Sequence, residues 1–177
     1  MNIRDLGTLT RSADGRRVLT FVRTYPHPRE KVWRALTEAG HLRGWFAQYL
    51  DYDESLLEFS KEGAVLEFRP GPGDEQPPAE TGRVLRCTPP SLLEYTWGEE
   101  ILRWELESAE VDGPACVLTF SNTFTDPAFA PFNALGWHSG LDRLAAVLDG
   151  EDPSAVPVEA DDQAASELLA RYEKEFA

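Results

Sequence analysis

Between residues 56 and 124 the chain is cut at short intervals by turn-forming clusters, and this constrains its fold more than any other feature. The clusters are Lys61-Glu62-Gly63, Pro70–Pro78, Pro89-Pro90-Ser91, Gly98-Glu99-Glu100 and Asp112-Gly113-Pro114. The intervening segments are rich in β-branched and aromatic residues, and the spacing predicts strands at Leu56–Ser60, Ala64–Arg69, Glu80–Thr88, Leu92–Trp97, Ile101–Ser108 and Cys116–Phe124. Connections this short leave room only for chain reversal, so successive strands are antiparallel neighbours. Alternation assigns their faces. Leu93, Tyr95 and Trp97 share one face, as do Leu102, Trp104 and Leu106, and Leu118, Phe120 and Asn122. Arg103, Glu105 and Glu107 take the opposite, solvated face.

Helical patterns flank this β region. Val18–Tyr25 reads as a further strand stopped by Pro26 and Pro28, and residues 1–16 as polar and loosely held, with room for a short strand. Short helices follow at Arg29–Thr37 and His41–Phe46, with Gly40 as the break. A long helix runs from about Phe132 to Leu148, with Trp137, Leu141, Leu144 and Leu148 on one stripe and Gly150 as its cap. Residues 151–163 read as an acidic linker. Residues 164–177 read as a helical extension whose Leu168, Tyr172 and Phe176 must dock on this domain or on a second copy, leaving a monomer or a homodimer open. A curved antiparallel sheet cannot bury its apolar face alone, and the long helix is the only element able to cover it. The fold class is therefore α+β, one domain over residues 1–150, with a crevice between helix and sheet.

Composition narrows function by exclusion. Of 177 residues, 31 are Asp or Glu and 17 Lys or Arg, for a net charge of −14. Nucleic-acid and anionic-membrane binding need basic surfaces, so neither is expected. The charge is uneven. Residues 1–46 hold nine basic and four acidic residues, and the rest hold eight and twenty-seven. That leaves room for a basic protein partner. No run approaches the roughly 20 apolar residues of a spanning helix. The first ten residues lack a signal-peptide core. Cys87 and Cys116 imply no disulfide framework, and a cytoplasmic location is expected.

The order and motifs of the chain resemble the START-like (SRPBCC) superfamily with its helix-grip fold, and within it the branch of Aha-type activators of a heat-shock chaperone ATPase. The resemblance is carried by residues 23–37, Leu42, Trp45-Phe46, residues 82–85 with Pro89-Pro90, residues 93–97, and residues 136–144 with Leu148-Asp149-Gly150. It covers most of residues 17–150. It implies that the two short helices plug one end of the sheet and that residues 136–148 form the gripped helix. It also implies that residues 51–54 and 70–78 lie near the rim. The family contains ligand carriers, cyclases, chaperone regulators and members without an assigned role, so fold alone does not select among them.

Three functions follow as expectations. The first is a binding protein for a small apolar molecule, aromatic or lipid-like. Its site would be walled by Trp45, Phe46, Phe68 and Tyr95, by Trp97, Trp104, Phe120 and Trp137, and by Leu141, with Asn122, Tyr95 and His138 orienting the ligand. Asn122 interrupts the apolar face of its strand and is the polar residue to watch. The second is a protein-interaction module. The third is an enzyme using His138 with Asp142 at i, i+4. No nucleophile motif accompanies that pair, so no catalytic residue is assigned. His27, His41 and His138 lack metal-ligand spacing, and the Pro70–Pro78 loop lacks a phosphate-loop pattern, so neither metal nor cofactor is expected.

Overall fold

The structure, a computed structural model, describes residues 6–73, 77–156 and 163–177. Seven strands form one antiparallel sheet: β1 (Thr8–Arg11), β2 (Arg17–Tyr25), β3 (Val65–Phe68), β4 (Glu80–Thr88), β5 (Leu92–Trp97), β6 (Glu100–Glu110) and β7 (Pro114–Phe124). Their order is β1-β2-β7-β6-β5-β4-β3. Two short helices, α1 (Arg29–Thr37) and α2 (Ala39–Trp45), follow β2, and the long helix α3 (Ala130–Asp149) covers the inner face. A last helix, α4 (Gln163–Glu175), packs against α3. This is the α+β arrangement that the turn spacing predicts and the helix-grip fold that the resemblance implies. Among the described residues no helix is long and apolar enough to cross a membrane.

The inner face follows the alternation. On β6, Leu102, Trp104 and Leu106 are buried, and on β7, Leu118, Phe120 and Asn122 are. Facing them from α3 are Leu141, Leu144 and Leu148. On the outer face Arg103 binds Glu94 across from it on β5 and Glu105 two residues along its own strand, each at 2.8 Å. Gly150 caps α3 in the left-handed region, at φ 75°.

Several elements differ from the expectation. Leu56–Ser60 is not a strand and contributes only the isolated bridge Leu56↔Glu67. Asp51 Oδ1 accepts the Asp53 and Glu54 N–H groups and turns the chain just before this stretch, while Phe59 drops into the core and Leu57 packs against it. The break between α1 and α2 is at Glu38, whose backbone is extended, and Gly40 lies inside α2. β1 does form, paired with β2. Part of the acidic linker is ordered as a short 3-10 turn at Pro153–Ala155, whereas its residues 157–162, the first five residues and positions 74–76 of the rim loop lie outside the described residues.

One glycine is demanded by sheet geometry. A Cβ on Gly82 would lie 1.9 Å from the Thr96 carbonyl oxygen on β5. Gly82→Ala is therefore expected to cost about 1–3 kcal/mol of stability, readable by urea denaturation, because backbone rather than a flexible side chain must move.

Candidate functional site

The inner face carries more ring surface than the core consumes. Trp104 stacks on Phe120 at 4.0 Å between centroids and meets Trp45 edge-on at 5.6 Å. Phe59 packs on Tyr95 at 4.6 Å, and Phe68 stacks on Trp97 at 4.0 Å. Trp104, Phe120, Tyr95, Phe68 and Leu141 are each at most 2% exposed, so they fill the space between helix and sheet. The open space lies at one end of the sandwich. It is a crevice of about 320 Å³ between the first half of α3, the end of α2 with residues 46–49, and the β5–β6 hairpin.

Four of the residues expected at the site line this crevice: Trp45, Phe46, Trp97 and Trp137. Phe46 reaches Trp97 at 5.5 Å and Trp137 at 6.1 Å, so the rings form a continuous wall backed by the inner ones. Gly136 and Gly140 keep the helix side low. A Cβ on Gly136 would meet nothing within 4 Å, and one on Gly140 would meet only the Trp45 carbonyl, at 3.7 Å. The tight helix contact is instead at Gly44, where a Cβ would fall 2.8 Å from Val147 Cγ2.

Asn122 holds the polar end of the crevice without lining it. It is fully buried; its Oδ1 accepts the Trp137 Nε1–H at 3.2 Å, and its Nδ2 donates to Glu100 Oε2 at 2.7 Å. The relay fixes both an indole and a carboxylate of the crevice wall. Burial pushes the Glu100 carboxyl up, Asn122 opposes this, and the charge of Glu80 adds to it. Burial and the charges of Glu80 and Glu100 push Tyr49, a further wall residue, up to about 12. Glu80, Glu100, Tyr49 and Asn133 escape the sequence-based list, although one signal was present. Alternation continued one step back from Leu102 puts Glu100 on the inner face, two residues from the strand partner of Asn122.

His138 lies away from the crevice. The Gly7 N–H donates to Tyr172 Oη at 3.0 Å, so that hydroxyl has its own proton free for His138 Nδ1, at 2.8 Å. Nε2 is buried, with Asp142 at 3.7 Å, beyond hydrogen-bond reach. The physical reason is rotation: His138 follows Trp137 by about 100° around the helix, which turns it toward α4. Its neighbours are Phe21, Tyr172 and Asp142, and it serves as the docking point for the tail helix. His27 binds Asp149 and His41 faces Glu38, so the three histidines occupy three separate places.

Burial, then the charge of Arg23 on β2, depress the His138 pKa from 6.5 to about 4. The unfolded chain therefore binds this proton at a higher pH than the folded one. Stability from this group is present above about 6.5 and is lost as the pH falls toward 4. Asp142 on α3 and Tyr172 on α4 are the other titratable groups facing it. Thermal melts across that window are expected to fall for the wild type, and to fall less for His138→Gln.

Comparison with known proteins places this architecture. Residues 26–149 match the family described as activator of Hsp90 ATPase homolog 1-like protein. Similar solved structures include CalU16 from Micromonospora echinospora, 21% identical over 97% of this chain and 98% of that one, with a TM-score of 0.69. A conserved protein of unknown function from Enterococcus faecalis is 23% identical over 96% and 89%, with a TM-score of 0.67. At these identities the likeness is one of fold. No curated protein matches the sequence. The family match spans both plug helices, the five strands β3 to β7 and the gripped helix, and the chain belongs to the activator of Hsp90 ATPase homolog 1-like family.

Proposed function

We propose that this protein binds a small, largely apolar molecule in the crevice between α3 and the β5–β6 hairpin. One observation carries the reading: an open space of about 320 Å³, walled mainly by rings, remains where a packed core would close it. Ligand sites of roughly 300–1,000 Å³ combine such walls with a few placed polar groups. Here those groups are the Glu100 carboxylate, held by Asn122, and the Asn133 amide. Binding is driven by releasing water from the faces of Phe46, Trp97 and Trp137. The buried Asn122 fixes orientation from behind the wall rather than touching the ligand.

An acid–base role for His138 draws no support from this geometry, because the imidazole is buried against Tyr172 on another side of α3. Both cysteines are free, which fits work in a reducing compartment such as the cytoplasm.

Native mass spectrometry of freshly purified protein, followed by solvent extraction, tests the reading. A discrete co-purifying small molecule, lost on extraction and readmitted on titration, is expected. Protein that carries nothing, and that shows no saturable binding of neutral aromatic probes at millimolar concentration, would contradict it.

A further inference from the structure

The aromatic wall does not account for two carboxylates at one end of the crevice. Glu80 and Glu100 both line it. They are close enough for the charge of Glu80 to oppose ionisation of Glu100, and both charges reach Tyr49. Among the described residues neither has an ion-pair partner. Arg143 is the only basic residue on the lining, and its Nη2 is turned to the Val156 carbonyl at 3.3 Å. Glu100 takes one hydrogen bond, on Oε2, from Asn122. On the same wall the Asn133 side chain lies beside Glu100 and, with Asn122, favours its ionised form.

Building on the crevice reading above, we propose that the ligand is an organic cation, with an ammonium group on a ring-bearing apolar body. The ammonium sits between Glu80 and Glu100, and the apolar body lies along Phe46, Trp97 and Trp137. Three features favour a cation over a neutral or anionic ligand. Two like charges held close together, one of them half-buried, are relieved by a positive charge placed between them. The π-faces of Trp97 and Tyr49, whose centroids are 6.4 Å apart, add cation–π attraction at the same end. The carboxylates repel an anionic headgroup, so fatty-acid-like ligands are disfavoured by the same residues.

The test compares three probes of nearly equal shape: 4-phenylbutylamine, 4-phenylbutanol and 4-phenylbutyrate. Calorimetric titration at neutral pH is expected to show the amine binding about tenfold tighter than the alcohol, with the carboxylate weakest. In a Glu80→Gln/Glu100→Gln variant the amine and the alcohol should bind alike, with alcohol affinity kept. Raising the salt concentration on the wild type should shrink the amine preference without any substitution, which covers a variant that fails to fold. An amine that binds no better than the alcohol, or a preference that survives in the variant, would overturn the inference and leave the crevice reading standing. Failure of all three probes to bind would overturn both.

Discussion

Trp104→Ala is expected to lower the unfolding free energy by about 3–5 kcal/mol, measured by urea denaturation, the scale of a large ring deleted from a packed interior. Trp104 is 1% exposed and touches Trp45, Phe120 and Trp137, which reach it from α2, β7 and α3. Deleting it removes the ring that joins the plug helix, the sheet and the gripped helix. The surrounding rings are anchored on separate elements and cannot all collapse into the void. Phe129→Ala is the control. That ring is 58% exposed, and its loss should change stability by less than about 0.5 kcal/mol. A loss below about 1 kcal/mol for Trp104→Ala would show that the rings between helix and sheet are loosely packed.

The second large effect is at Gly136. Gly136→Leu is expected to reduce affinity for any crevice ligand by tenfold or more while keeping the fold or stabilising it. Leucine recovers about 1 kcal/mol of helix propensity relative to glycine. Its Cβ meets nothing within 4 Å, so the folded protein tolerates it. The rest of the side chain takes up volume in a crevice of only about 320 Å³, and overpacking of this kind costs about 1–3 kcal/mol, each 1.4 kcal/mol being tenfold in affinity. Stability and binding thus move in opposite directions at this position. A variant that melts higher and binds as well as wild type would place the ligand elsewhere.

These two residues also mark how far the sequence could be read. Trp104 and Gly136 were both conspicuous, the first as an inward ring on a strand, the second as a costly glycine in a helix. Alternation gives the facing of Trp104 because the period of a strand is two. It does not say whether an inward ring fills the core or walls a cavity, since that depends on volumes supplied by α2, α3 and β7 together. Trp104, Phe120, Tyr95, Phe68 and Leu141 fill; Trp45, Phe46, Trp97 and Trp137 line. A glycine inside a helix fits either close helix packing or open space, and here Gly44 makes the tight contact while Gly136 faces open space. Asn122 announced a buried polar partner by breaking its apolar face, and the partner, Glu100, was hidden because it reads equally well as a turn residue after Gly98-Glu99. The spacing of Leu168, Tyr172 and Phe176 required a docking face for the tail, but nothing local tied Tyr172 to Gly7 and His138. That contact joins positions 165 and 34 residues apart.

The central claim is that the crevice beside Trp97 and Trp137 admits a small apolar molecule. Its most direct test is a nitrogen–proton NMR titration that follows the five indole N–H signals as neutral 4-phenylbutanol is added. The Trp97 and Trp137 signals should shift saturably and together, since both rings line the crevice and Trp137 is held by Asn122. Trp33, on α1 and outside the lining, should stay fixed. Saturable shifts at Trp33 with Trp97 and Trp137 unmoved, or no saturable shift at any indole, would contradict the account.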